Sequence, residues 1–218
     1  KAFEFYELAA KQNYPEALYN LGVILYEGEY IDHDINKALN YFELASIQNF
    51  SKAQYNLGVI YAEGKFVQKD IKKAISYYQL AAEKNYSEAL FNLGLLYYQG
   101  EEIQKDFNKA FHYFSLAASQ NYSKALYNLG LIYFEGIYLQ KNLNKAIEYF
   151  ERASELNYAE AQFFLGNYYY NNKEINKSIY YYELASNNNN LEAIFILGDV
   201  YYQGVFIPQN INKAIQYF

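Results

Sequence analysis

One segment of ten residues recurs along this chain at a fixed spacing. YNLGLIYFEG, residues 127–136, reappears with few changes at residues 19–28, 55–64 and 91–100. Each copy begins 36 residues after the one before it. A period of about 20 to 50 residues is typical of repeat proteins, in which each unit buries its apolar face only by stacking on its neighbours. The period therefore predicts an array of similar units rather than a domain built around one central core.

The amino-acid composition excludes several classes of function for this chain. The chain is 52% hydrophobic and 19% charged, which favours a folded protein over a disordered one. It has no cysteine, so disulfides, zinc–thiolate sites and thiol catalysis are excluded. The net charge of −6, with Arg152 as the only arginine, argues against a nucleic-acid partner, because phosphate binding needs a basic surface. No apolar run reaches the roughly 18 residues of a spanning helix, so no membrane span is predicted.

Equivalent alanines divide the chain into units: Ala17, Ala53, Ala89, Ala125, Ala161 and Ala193. The fifth interval is 32 residues instead of 36. We expect a single repeat array with a partial repeat at 1–16 (helix B only), full repeats at 17–52, 53–88, 89–124 and 125–160, a short repeat at 161–192 and a truncated repeat at 193–218. Both ends fall within a repeat, so we expect the chain to be part of a longer protein. The compartment stays open, and we favour the cytoplasm over the secretory pathway.

Helical spacing defines the first half of each unit, which we call helix A. Apolar side chains recur there every three to four residues, as at Ala125, Leu129, Ile132 and Tyr133. We predict A helices near residues 15–27, 51–63, 87–99, 123–135, 159–171 and 191–203. A serine is expected at the N-cap (Ser51, Ser87, Ser123), and a glycine such as Gly64 is expected to end the last turn in the left-handed conformation.

The second half of each unit, helix B, follows a loop. An Asp or Asn is predicted to cap its start: Asp34, Asp70, Asp106, Asn142 and Asn210. Its end is predicted at an Asn with left-handed backbone, followed by an aromatic residue that can pack back: Asn49-Phe50, Asn85-Tyr86, Asn121-Tyr122 and Asn157-Tyr158. Gly130 lies in the middle of helix A, where glycine costs about 1 kcal/mol relative to alanine. We therefore expect a close helix contact there, with Ala146 opposite the glycine and rings such as Tyr133 and Phe150 in wider gaps.

The repeated residues resemble a known pattern. In one unit they are Ala89, Leu93-Gly94, Tyr97 and Gly100 in helix A, then Lys109-Ala110, Tyr113-Phe114 and Ala117-Ala118 in helix B. This resembles the Sel-one-like repeat (SLR) family, which is related to tetratricopeptide repeats. The resemblance implies an all-α fold, a right-handed α-solenoid or superhelix of antiparallel helix pairs, with A helices lining its concave face. It also implies a role as an adaptor scaffold for other proteins.

The sequence departs from the family pattern in two places. Asn replaces the usual Gly in the turn after helix B, a physically conservative change. The fifth unit lacks four residues between its helices. We expect a tighter turn and a local change in superhelical curvature around residues 171–175.

Candidate chemical groups are few. His33 lies with Glu29, Asp32 and Asp34 in a loop, which is either a weak cation site or simply solvated. His112 lies on helix B as a surface or groove-edge residue. No catalytic constellation, cofactor motif or metal-ligand spacing is found, so we predict no enzymatic role, no cofactor and no metal. Asn-x-Ser sequons begin at Asn49, Asn85, Asn121 and Asn176. Helix capping explains them, while an ER-luminal adaptor stays an open alternative.

The concave A-helix face is the predicted binding surface. Its candidate residues are Tyr19, Val23, Tyr26, Tyr55, Val59, Glu63, Glu88, Phe91, Leu95, Tyr98, Tyr127, Leu131, Phe134, Glu135, Phe163, Asn167, Tyr170, Phe195 and Asp199. Aromatic residues are in the middle and carboxylates at the edges. Asn20, Asn56, Asn92 and Asn128 also recur, but the basic residues of a carboxylate clamp do not, so we expect these amides to hydrogen-bond locally.

The predicted function is a protein-interaction scaffold. Its partner would be another protein or a peptide with basic and apolar residues, bound most strongly by the middle repeats. The ladder Tyr55, Phe91, Tyr127 and Phe163 should then be substantially exposed to solvent. The alternatives are that these rings pack between A helices, and that the chain is an architectural spacer in a larger protein.

Overall fold

The computed structural model describes residues 2–28, 32–204 and 207–217. Within those residues all regular structure is α-helical. The helices are α1 (Ala2–Ala10), α2 (Pro15–Glu27), α3 (Ile35–Ile47), α4 (Ser51–Glu63), α5 (Ile71–Ala82), α6 (Ser87–Gln99), α7 (Phe107–Ser119), α8 (Ser123–Glu135), α9 (Leu143–Glu155), α10 (Ala159–Asn171), α11 (Ile175–Asn187), α12 (Leu191–Gln203) and α13 (Ile211–Tyr217). They form two compact units, residues 1–117 and 118–218.

The six predicted A helices are confirmed as α2, α4, α6, α8, α10 and α12. The predicted serine N-caps are wrong. Ser51 is already the first helical residue of α4, and the N-cap is Phe50, whose side chain makes no capping hydrogen bond. The Phe50 carbonyl accepts the first helical bonds, from the amides of Ala53 and Gln54 at 3.0 and 3.1 Å. Its ring packs 5.3 Å from the Tyr19 ring of α2, so packing between repeats decides the residue at this position.

The left-handed glycines that end the A helices are also confirmed. Gly64 has a φ of 65°, and its N–H donates to the Ile60 carbonyl. A β-carbon on Gly64 would lie 2.5 Å from the Lys69 β-carbon, because the A–B loop crosses directly over the helix end. Glycine is therefore required there both for its backbone conformation and for the close approach of the chain.

The B helices begin and end as predicted. Side-chain oxygens of Asp34, Asp70, Asp106, Asn142 and Asn210 accept from the amide N–H three residues later, at 2.9–3.0 Å. Left-handed asparagines follow α3, α5, α7 and α9, with φ of 60°, 57°, 58° and 59° at Asn49, Asn85, Asn121 and Asn157. Each helix end thus depends on a short-range signal that the sequence carries.

The mid-helix glycines contact rings rather than small residues. A β-carbon on Gly130 would lie 2.6 Å from the Phe150 ring, so the expectation of Ala146 opposite this glycine is wrong. The same contact recurs with similar distances in Gly22–Phe42, Gly58–Tyr78, Gly94–Phe114 and Gly166–Tyr182. Ala146 is nevertheless fully buried. The glycine provides a flat backbone patch on which the helix-B ring lies.

The lysine of the repeated Lys-Ala pair joins the two helices of a unit. Lys73 Nζ donates to Tyr61 Oη at 2.7 Å and lies 4.0 Å from the centre of that ring. Comparable lysine–tyrosine contacts are Lys109–Tyr97, Lys145–Tyr133, Lys177–Tyr169 and Lys213–Tyr201. The Tyr61 ring also stacks on Tyr77 of helix B, with centroids 5.9 Å apart. A cation over a tyrosine face stabilises by about 0.5–2 kcal/mol, which explains why this lysine recurs.

The expected tight turn in the fifth repeat is confirmed. Residues 172–174 join α10 to α11, whereas residues 64–70 join α4 to α5. The turn places Lys173 in the left-handed region with a φ of 63°, and the Glu174 N–H donates to the Tyr169 carbonyl at 2.9 Å. Residue 173 is a lysine rather than a glycine or asparagine, so the sequence did not predict this left-handed conformation.

Candidate functional site

The A-helix face comprises the surfaces of α2, α4 and α6 in the first unit, and of α8, α10 and α12 in the second. Most predicted site residues on it are half-buried: Tyr19, Val23, Tyr26, Tyr55, Val59, Glu88, Leu95, Tyr98, Tyr127, Leu131, Phe134, Phe163, Asn167 and Asp199. Glu63, Glu135, Tyr170 and Phe195 are exposed. Phe91 is buried. The face therefore offers grooves between half-buried rings rather than a row of free aromatic side chains.

The expectation of a substantially exposed aromatic ladder is wrong at Phe91, which is 8% exposed and lies 5.7 Å from the Phe114 ring. Tyr55 and Tyr127 each lie between two other rings, and Phe163 lies 5.9 Å from the Tyr182 ring. Tyr55 lies 5.9 Å from Tyr78 of α5 and 5.3 Å from Tyr86, which precedes α6. Tyr55 therefore packs on a helix-B ring and on the ring before the next A helix, whereas the alternative expected packing between A helices.

An open cleft lies between α2 and α4 in the first unit. Its volume is about 310 Å³. It is lined by Tyr19, Val23, Tyr26, Glu27, Phe42, Asn56, Val59 and Ile60. We call it the α2/α4 cleft. Valines form its walls, and Phe42 of α3 lies at its base.

A second open cleft on this face lies between α10 and α12 in the second unit, and we call it the α10/α12 cleft. Its volume is about 430 Å³. It is lined by Asn167, Tyr170, Asn171, Tyr182, Phe195, Ile196, Asp199, Val200 and Gln203.

The two clefts occupy equivalent positions of the repeat. Asn167 and Tyr170 of α10 correspond to Val23 and Tyr26 of α2, and Asp199 of α12 corresponds to Val59 of α4. Both clefts have a helix-B ring at the base, Phe42 in one and Tyr182 in the other. The cleft is therefore a feature of the repeat interface, and its lining differs from one pair of repeats to the next.

The polar groups of the α10/α12 cleft are held in place by hydrogen bonds. Tyr182 Oη donates to Asn167 Oδ1 at 2.8 Å. Gln203 Nε2 donates to both carboxylate oxygens of Asp199, at 2.7 and 2.8 Å. Phe42 has no hydroxyl group, and the equivalent wall positions of the α2/α4 cleft are valines. At these two wall positions the α10/α12 cleft therefore has polar side chains, Asn167 and Asp199, and the α2/α4 cleft has valines.

Between α8 and α10 the equivalent position is filled. Phe164 replaces the asparagine found at Asn56, and its ring centre lies 4.1 Å from that of Phe150 and 5.0 Å from that of Phe134. Phe164 was not among the residues predicted from the sequence. The signal for it was that asparagine recurs at this position in the first four A helices and is replaced by phenylalanine in the fifth. This ring closes the space that would otherwise be a third cleft.

Two of the recurring asparagines hydrogen-bond locally, as expected. Asn92 Nδ2 donates to Tyr78 Oη at 3.2 Å, which links α6 to α5. Asn128 Nδ2 donates to the Lys124 carbonyl one turn earlier, at 2.8 Å. These amides therefore serve the packing of the repeats.

Carboxylates influence the tyrosines of this face. Burial raises the pKa of Tyr127, and the carboxylates of Glu160 and Glu135 raise it further. Burial likewise raises the pKa of Tyr26, with an added contribution from Glu63. A negative charge near a phenol opposes its ionisation, and the same field attracts cations. The carboxylates therefore make the surroundings of these two tyrosines electrostatically negative.

The loop histidine packs against its surroundings. A β-carbon on Gly28 would lie 2.6 Å from the His33 ring, and this ring lies 5.9 Å from that of Phe66. Glu29, one of the three carboxylates of the expected weak cation site, lies outside the described residues. Within residues 2–28, 32–204 and 207–217, no group of three His, Cys, Asp or Glu side chains is placed to hold a metal ion. His112 is exposed beside Tyr113.

Paired helices that recur at a regular period define a helical-repeat protein. The chain belongs to the Sel1 repeat family, whose repeats match residues 1–14, 15–50, 51–86, 87–122, 123–158, 159–190 and 191–218. Proteins of this family are in general scaffolds for protein–protein interactions and are typically non-catalytic. No curated protein matches the chain. In the part of the chain that the structure describes, no helix is long and apolar enough to cross a membrane.

Solved structures show the same fold. A Sel1 repeat protein from Oxalobacter formigenes is 30% identical, with a TM-score of 0.85 over 94% of this chain and 86% of that chain. The protective antigen c5321 of uropathogenic Escherichia coli, which displays an SLR fold, is 27% identical, with a TM-score of 0.86 over 99% of this chain and 47% of that chain. Immunity protein Pa5087 from Pseudomonas aeruginosa, at 23% identity and a TM-score of 0.62, is similar in fold alone. The predicted all-α class of solenoid helix pairs is confirmed.

Proposed function

We propose that this chain is a scaffold that binds a segment of another protein on its A-helix face. The observation that carries the proposal is the pair of equivalent open clefts, α2/α4 and α10/α12, each bordered by aromatic rings. Interaction sites of repeat proteins lie on the surfaces that stacking makes continuous. Aromatic rings supply contact area at low entropic cost, and they are enriched among residues that dominate binding energy.

The partner segment would carry basic and apolar residues. Glu63 and Glu135 are exposed on this face, and carboxylates raise the pKa of its tyrosines. Charge complementarity steers association and excludes acidic partners. The apolar walls at Val23 and Val59 suit an uncharged side chain. A basic and apolar segment satisfies both features.

A peptide selection tests this function. A library of random peptides displayed on phage would be selected on the immobilised chain, and enriched peptides would be measured by fluorescence anisotropy. Tyr170→Ala with Phe195→Ala removes two exposed rings of the A-helix face, which are 42% and 66% exposed. Tyr180→Ala is the matched control, because this ring is 57% exposed on α11, a B helix.

The expected result is enrichment of basic and apolar peptides, with binding weakened at least about tenfold, or about 1.4 kcal/mol, by the A-face double variant. The control variant should bind as the original chain does. Loss of binding in Tyr180→Ala alone would place the partner on the B helices. Absence of any enriched peptide would favour an architectural spacer instead.

A further inference from the structure

The two equivalent clefts differ in the chemistry of their walls. We propose that the α10/α12 cleft selects a cationic side chain, lysine or arginine, whereas the α2/α4 cleft selects an apolar one. The inference rests on the proposed function, since it names the residue class that each cleft accepts from a bound peptide. Position 199 in one cleft and position 59 in the other determine the difference.

The Asp199 carboxylate is the anionic group of the α10/α12 cleft. It is half-buried, and both oxygens are held by the Gln203 amide at 2.7 and 2.8 Å. A carboxylate offers about four acceptor positions, so the amide leaves others available to a ligand. Among the described residues, Asp199 forms no ion pair with a lysine or arginine of this chain.

Aromatic rings complete the environment for a cation. Tyr170 and Phe195 line the same cleft as Asp199. Ring faces attract ammonium and guanidinium groups, and the ring walls accommodate the aliphatic stem of lysine or arginine. A half-buried carboxylate is also screened by salt less than an exposed one. The combination favours a long basic side chain over a small cation.

A metal ion is a poorer match for this cleft. Calcium takes about six to eight oxygen ligands, and magnesium prefers octahedral oxygen coordination. Asp199 is the only carboxylate that lines the α10/α12 cleft among the described residues. A basic side chain needs only one counter-charge, so it fits the donor set better.

The α2/α4 cleft lacks this wall charge. Val59 stands at the position of Asp199, and Val23 at that of Asn167. Glu27 also lines this cleft, but it is exposed near the end of α2. Its carboxylate therefore lies at the solvent edge of the cleft. A cation held against the two valines would lose hydration, and the only carboxylate that lines this cleft among the described residues, Glu27, is exposed, which favours an apolar side chain at the valines.

Peptide libraries with one position fixed as each amino acid in turn would test the inference. Binding would be compared between the original chain and Asp199→Asn, which keeps the shape of the side chain and removes its charge. Asp199→Val and Val59→Asp exchange the wall residues of the two clefts. Far-UV circular dichroism would establish that each variant is folded.

Asp199→Asn should lower the enrichment of lysine and arginine at one peptide position at least about tenfold. Enrichment of apolar residues at other positions should not change. Asp199→Val should replace the basic preference with an apolar one, and Val59→Asp should add a basic preference. If Val59→Asp does not fold, the comparison of the original chain with Asp199→Asn still tests the inference.

Two results would overturn the inference in distinguishable ways. Unchanged selection of lysine and arginine by Asp199→Asn would refute the cleft assignment. The proposed function would remain intact if Tyr170→Ala with Phe195→Ala still weakened binding at least about tenfold. Failure of the original chain to enrich any peptide would refute the proposed function and the inference together.

Discussion

The ring of Phe150 lies against the backbone of Gly130, so that a β-carbon on this glycine would be 2.6 Å from the ring. This contact joins helix A to helix B within one repeat. Five such glycine–ring pairs are described, one in each of five repeats. The pairs explain a glycine in the middle of a helix, where it is otherwise unfavourable.

Gly130→Ala should destabilise the chain. In an exposed helix this change would stabilise by about 1 kcal/mol, but here the methyl group would displace the Phe150 ring. Overpacking of this kind costs about 1–3 kcal/mol, so the net change is expected to be unfavourable. Urea unfolding would measure it, and Gly130→Ala with Phe150→Leu should recover part of the loss. An increase in stability would mean that the ring moves freely.

Phe164→Asn should also destabilise. It restores the asparagine found at the equivalent Asn56 but removes the ring that packs on Phe150 and Phe134. Loss of a partly buried ring is expected to cost about 1–3 kcal/mol, less than the largest core truncations. Phe195→Asn is the control, because that ring is 66% exposed and its loss should change stability by about 0.5 kcal/mol or less. Equal effects of the two changes would contradict the packing role of Phe164.

Alkaline pH should destabilise the chain through its buried tyrosines. Burial raises the pKa of Tyr158 to about 12, with further contributions from Glu160 and neighbouring phenols, and burial also raises the pKa of Tyr181 to about 12. An unfolded tyrosine titrates near about 10, so the unfolded chain releases these protons first. The resulting stability is fully present below about pH 10 and is lost as pH rises from about 10 to 12.

Urea unfolding across this alkaline range, with tyrosinate absorbance as a second signal, would measure the effect. Tyr158→Phe removes one titrating group and should therefore lose stability less steeply as pH rises. Identical slopes for the two proteins would show that Tyr158 ionises alike in the folded and unfolded chains.

Charge reversal on the A-helix face should slow association with a basic peptide. Glu63→Lys with Glu135→Lys removes two exposed carboxylates and adds two cations, so the association rate should fall most at low salt. Stopped-flow fluorescence at several salt concentrations would measure this. Glu83→Lys with Glu148→Lys makes the same charge change at exposed positions of the B-helix side and serves as the control. Equal slowing in both variants would indicate an effect of net charge rather than of this face.

The sequence by itself determined the repeat, the bounds of the A helices and the residues that cap α3, α5, α7 and α9. These features depend on residues close together in the chain. The Asn142 side chain caps α9 through an amide three residues later, and Asn49 adopts left-handed backbone by its own preference. Because such signals are local, they were visible without any knowledge of packing.

Only the tertiary structure decided which side chains meet and where the A-helix face is open. Phe50 rather than Ser51 is the N-cap because its ring packs on Tyr19 of the preceding repeat. Phe91 is buried while Phe195 is exposed, although they occupy the same row. These outcomes depend on ring packing between helices that are far apart in sequence. The period alone would predict the same environment for all equivalent residues. The physical difference lies in their neighbours, which only the folded chain brings together.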